Sequence, residues 1–174
     1  MENKSLHYES KRRNAIRSSV ILFFTMVVLC LSLGIILVGC AKTVSDAIRL
    51  GPNDTFAYSY RGRAYFHKGD YGQAIADFTE VIRLDPNDAI AYNNRGFSYF
   101  RKGDYDSAIA DFTETIRLDP NDAIAYNNRA FSYFRIGNYD LAIMDFTETI
   151  TLDPNSASAY YWRGHTYLHT GEYD

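Results

Sequence analysis

The stretch AIAYNNRGFSYFRKGDYDSAIADFTETIRLDPND at residues 89–122 is followed directly by AIAYNNRAFSYFRIGNYDLAIMDFTETITLDPNS at residues 123–156, and only a handful of positions differ. Ala57, Ala91, Ala125 and Ala159 open the same phrase at intervals of 34 residues. A fixed period of this size belongs to a stacked repeat array and not to one globular core. Such an array works through its surface, which points to a binding protein and away from an enzyme.

The unit resolves into two helices. From Thr55 to Lys68 the large residues Phe56, Tyr58, Tyr65 and Phe66 mix with Ala57, Gly62 and Ala64 at a spacing that suits a helix, here called helix A. Gly69 and Asp70 break it. From Tyr71 the residues Ala74, Ile75, Phe78, Val81, Ile82 and Leu84 recur at helical steps until Asp85 and Pro86, which defines helix B. Glycines 69, 103 and 137 suit the left-handed conformation that ends a helix, and prolines 86, 120 and 154 disfavour helix just before them. Small residues (Gly62, Gly96, Ala130 and Gly164 on helix A; Ala74, Ala108 and Ala142 on helix B) predict close approach of the pair, with Phe78, Phe112 and Phe146 filling the space around it.

This pattern resembles the tetratricopeptide repeat family, whose aromatic, small, tyrosine, alanine, aromatic and proline slots are Tyr92, Gly96, Tyr99, Ala108, Phe112 and Pro120 in the second unit. The resemblance covers roughly residue 41 to the end. It implies an all-α solenoid of helical hairpins, with units at 55–88, 89–122 and 123–156, a half unit of helix B at 40–54 and an incomplete unit at 157–174. The last helix A has no helix B after it, which reads as a truncated chain, a frayed end, or an end completed by another copy. Some slots depart from the family pattern. Tyr58, Tyr92, Tyr126 and Tyr160 replace the commoner tryptophan, and Arg61, Arg95, Arg129 and Arg163 occupy a slot that is often leucine.

An arginine beside a helix interface must be paired or reach water. Aspartates recur at one fixed offset upstream, on helix B of the preceding unit, so the expected ion pairs form a ladder: Asp77 with Arg95, Asp111 with Arg129, and Asp145 with Arg163.

Residues 1–19 are basic, and residues 20–39, VILFFTMVVLCLSLGIILVG, carry no charge. About 20 apolar residues can span a bilayer, and the basic front keeps the amino side cytoplasmic. Leu37, Val38, Gly39 and Cys40 resemble a bacterial lipobox, which implies cleavage before Cys40 and its lipidation; an uncleaved signal anchor is the alternative. Either way the repeats are expected on the non-cytoplasmic side, tethered to a membrane. Cys30 and Cys40, the chain's two cysteines, both lie in or at this segment, so no disulfide framework is expected in the repeats.

The net charge of −3 conceals a segregation. Helix A carries arginines and lysines without acids, whereas Asp77, Glu80, Asp111, Glu114, Asp145 and Glu148 lie on helix B. In the resembled family helix A lines the concave groove. The candidate groove residues are therefore Ser59, Arg63 and His67, then Asn93, Phe97, Phe100 and Arg101, then Asn127, Phe131, Phe134 and Arg135. Arginine supplies charge-assisted bonds and phenylalanine apolar area, which suits an extended peptide or protein partner with acidic or carboxylate groups. The family's carboxylate clamp is poorly matched: Asn94 suits it, but Ser59, Arg63 and Ile124 stand where lysine or asparagine is expected, so binding to chaperone tails is not expected. A second reading is an assembly scaffold whose repeats stack on other copies without a dedicated peptide ligand. No enzyme motif occurs, no cofactor or metal is expected, and the acidic balance argues against nucleic acid. His165 and His169 are one turn apart but read as exposed side chains rather than metal ligands.

Overall fold

The computed structural model describes residues 53–171, so the expectations for the basic front, the apolar run, Cys40, the half unit as far as residue 52 and the last three residues of the incomplete unit lie outside the described residues. Seven helices and no strands occur among the described residues: α1 (Thr55–Lys68), α2 (Tyr71–Leu84), α3 (Ala89–Lys102), α4 (Tyr105–Leu118), α5 (Ala123–Arg135), α6 (Tyr139–Leu152) and α7 (Ala157–Thr170). Each helix packs on the next in sequence, and the odd-numbered helices also touch, α1 with α3 and α3 with α5. The expected all-α hairpin solenoid is what forms.

Local chemistry sets the helix ends. Asp54, Asp88 and Asp122 accept from the backbone of the first turn of α1, α3 and α5, with Asp88 Oδ1 2.9 Å from Ala91 N. Gly69 and Gly103 take φ of +84° and +91°, a conformation that costs a residue with a Cβ dearly. At Gly103 this lets Asp104 N donate back to Tyr99 O, so that the chain reverses and Asp104 caps the next helix. The even helices end two residues before each proline, where Asp85, Asp119 and Asp153 accept from Asn87, Asn121 and Asn155 N in a local turn.

Inside the hairpins the small residues admit the aromatic ones. A Cβ placed on Gly62 or Gly96 would lie 3.0 Å from the ring of Phe78 or Phe112, and those rings are almost fully buried. Each buried phenylalanine contributes roughly 1.5–3 kcal/mol by leaving water. In the third hairpin Ala130 occupies the equivalent slot, is itself buried, and joins Ala142, Phe146 and Ala159 in one apolar cluster.

Candidate functional site

The arginine in the leucine slot is anchored differently from the ladder read in the sequence. Arg61 Nη2 lies 2.6 Å from Asp77 Oδ1 and Nε 2.7 Å from Oδ2; Arg95 makes the same fork on Asp111, and Arg129 on Asp145. The partner is thus helix B of the same hairpin. The expected pairs Asp77 with Arg95, Asp111 with Arg129 and Asp145 with Arg163 do not form.

The preceding helix B is still reached, through a different residue: Arg95, Arg129 and Arg163 donate from Nη1 to Thr79, Thr113 and Thr147 at 3.1–3.2 Å. Asp77 and Thr79 are two residues apart, about 200° around the helix, so they face opposite neighbours. Each guanidinium also sits 5.6–5.7 Å from the tyrosine ring three residues earlier, Tyr58, Tyr92, Tyr126 or Tyr160. That contact uses a tyrosine in the slot where the family more often has tryptophan. The hydrogen bond and charge of the aspartate raise the Arg61 and Arg95 guanidinium pKa above its ordinary value against the opposing pull of burial. At Arg129 burial is the largest influence, downward, and the bond to Asp145 together with its charge outweighs it. These arginines are consumed by structure.

A second set of arginines is differently placed. Arg101 and Arg135, near the ends of α3 and α5, are exposed and form no salt bridge among the described residues. Their guanidiniums lie over aromatic rings of the preceding hairpin: Arg101 is 5.3 Å from the Tyr71 centroid and 5.8 Å from Phe66, and Arg135 is 4.6 Å from Tyr105 and 6.0 Å from Phe100. Stacking of this kind holds the planar group still while its N–H edges remain available. On α7 His169 takes the corresponding position, 5.2 Å from Tyr139 and 5.5 Å from Phe134. On α1 the position is His67, which is exposed.

Between α3, α5 and α7 a cleft of about 440 Å³ is walled by Phe97, Phe100, Phe131, Phe134 and Trp162, with Asn128 and Arg135 completing it. Five of the residues expected for the groove therefore converge here. Asn93 lies beside them, accepting from Asn128 Nδ2 at 3.3 Å, and Asn127 Oδ1 is buried with no hydrogen-bond partner. Ser59, Arg63 and His67 stand apart on α1 and do not line this cleft.

Trp162 was outside the expected set, as were the platforms Tyr71 and Tyr105. Trp162 occupies the Asn128 position one period on, so the repeat pattern itself contained the clue. Phe56, Ile90 and Ile124 are a further omission. They lie three residues before Ser59, Asn93 and Asn127, share that helix face, and are 65–73% exposed. His165 differs from its expected exposure. It is half-buried with Nδ1 unpartnered, and its ring packs 5.2 Å from Trp162 and 5.0 Å from His169. Among the described residues no group of three or more metal-ligating side chains occurs, and no helix is long and apolar enough to cross a membrane.

The hairpin fold and its slots match known sequence profiles. One described as TPR repeat covers residues 62–103, and two described as Tetratricopeptide repeat cover 89–122 with 123–156, and 146–174. The chain belongs to the tetratricopeptide repeat family. No curated protein sequence matches it. Among solved structures the protein is similar to MamA (26% identity, TM-score 0.76, covering 78% of this chain and 79% of that one). It is similar to the first TPR domain of human RPAP3 (25%, TM-score 0.66, 70% and 95%). The first TPR of Spaghetti (RPAP3) bound to the HSP90 peptide SRMEEVD shares the fold at 24% identity and TM-score 0.66, covering 68% of this chain and 94% of that one.

Proposed function

We propose that this tetratricopeptide protein is a membrane-tethered interaction module that holds an acidic peptide or protein segment along the face formed by α1, α3, α5 and α7. The observation carrying the reading is the contrast between two arginine sets. One is locked to buried aspartates; the other, Arg101 and Arg135, is stacked, exposed and without a carboxylate partner among the described residues. Two guanidiniums one repeat apart, beside an aromatic cleft, favour a ligand with carboxylates in register.

Contacting helix axes lie about 8–10 Å apart, and a segment in the polyproline II conformation advances about 3.1 Å per residue with three residues per turn, so acidic residues three apart share one face and fit the pair. Side-chain footprinting by hydroxyl radicals tests the site on the full-length chain in detergent, with a peptide carrying two aspartates three residues apart. Protection is expected at Phe97, Phe100 and Trp162 and none at Met144, which is 65% exposed on α6. Protection confined to the even helices would sink the reading.

The tether rests on residues 20–40 of the sequence. Intact mass of the protein from bacterial membranes is expected to begin at Cys40 with added acyl chains, and to revert to the uncleaved mass under a signal peptidase II inhibitor. Full-length mass in both conditions would replace the lipid with an uncleaved anchor.

A further inference from the structure

The ring contacts between successive odd helices are not the same at each step. Phe66 stacks on Phe97 at 5.2 Å between α1 and α3, and Phe134 meets His165 at 5.6 Å between α5 and α7. The equivalent pair between α3 and α5 is Phe100 with Phe131, and among the described residues these rings do not meet. Phe131 turns instead to Phe146 at 5.3 Å and to Trp162 at 5.0 Å, and Phe100 turns to Phe97 and Tyr105. The cleft of about 440 Å³ is the space that this missing contact leaves. Its volume lies within the range of about 300–1,000 Å³ usual for ligand sites.

We infer that this cleft is an anchor pocket for a large apolar side chain of the bound segment, of leucine, methionine or phenylalanine size, adjacent to the acidic residue that pairs with Arg135. The inference rests on the acidic-segment reading and adds a side-chain requirement to it. Charge complementarity fixes the neighbour: Arg135 lines the cleft, its guanidinium is held over Tyr105, and helix α5 carries no acid to compete. The walls fix the anchor, because phenylalanine and tryptophan rings offer apolar area and little hydrogen bonding.

The test uses the native full-length chain in detergent and two labelled decapeptides. Each carries aspartates three residues apart; one has leucine and the other alanine on both sides of the second aspartate. Trp162 is the chain's only tryptophan, so its emission reports the cleft directly. The leucine peptide is expected to bind at least about tenfold tighter by fluorescence anisotropy, and to shift Trp162 emission where the alanine peptide shifts it less. Equal affinities would overturn the anchor and leave the acidic groove standing. Tighter leucine binding with unchanged Trp162 emission would place the apolar contact elsewhere and also overturn it. Failure of both peptides to bind would overturn the anchor together with the reading beneath it.

Discussion

Replacing Arg95 with leucine, the residue more usual in that slot, is expected to destabilise the protein by about 3 kcal/mol, because it strands the Asp111 carboxylate inside a hairpin. The Asp111 side chain is 7% exposed and its two oxygens accept from Arg95 Nε and Nη2 at 2.8 and 2.7 Å. Removing one member of such a pair costs more than the pair contributes, since the survivor keeps its desolvation and loses its partner. The double change Arg95→Leu with Asp111→Ala is therefore expected to be more stable than Arg95→Leu alone. Denaturation of the four members of the cycle reads the coupling directly. A second cycle, Arg95→Leu with Asp77→Ala, separates the two pairings. Asp77 binds Arg61 and not Arg95, so its coupling to Arg95 is expected to stay within about 0.5 kcal/mol. Strong coupling in the second cycle and none in the first would restore the ladder between hairpins.

That reversal shows where a periodic sequence stops being informative. Phe78, Phe112, Phe146 and the glycine slots opposite them were legible because volume complementarity leaves a direct mark: a bulky residue needs a small one facing it. The turns were legible for a similar reason, as glycine and proline restrict the backbone locally. Ion pairs are another matter. In an array of period 34 every fixed offset recurs, so the recurrence of Asp77 upstream of Arg95 carries no more weight than that of Arg61 upstream of Asp77. The choice between them depends on which side of helix B the aspartate faces, and Asp77 faces its own hairpin while Thr79 faces the next.

The candidate site was legible in part for related reasons. Helical periodicity placed Asn93, Phe97, Phe100, Asn127, Phe131 and Phe134 on one face, and the charge segregation singled out Arg101 and Arg135. Periodicity does not specify side-chain rotamers. The turn of Phe131 toward Phe146 and Trp162, which opens the cleft, is a departure from the repeat that only packing reveals. The stacking of Arg101 on Tyr71 and of Arg135 on Tyr105 crosses from one hairpin to another and was likewise invisible to a residue-by-residue reading.

The central claim is that these two arginines capture acidic groups, and the affinity of the double variant Arg101→Glu with Arg135→Glu tests it most directly. Both side chains are exposed, so reversal loses four cation–π contacts, two at each arginine, and is expected to cost ~2 kcal/mol of stability, checked by thermal melting. Binding is affected more strongly, because at two points attraction becomes repulsion, each worth about tenfold. Titrated with the two-aspartate leucine peptide at low ionic strength, the full-length double variant is predicted to bind about a hundredfold more weakly than the native chain. A folded double variant that binds the acidic peptide as tightly as the native chain would contradict the account.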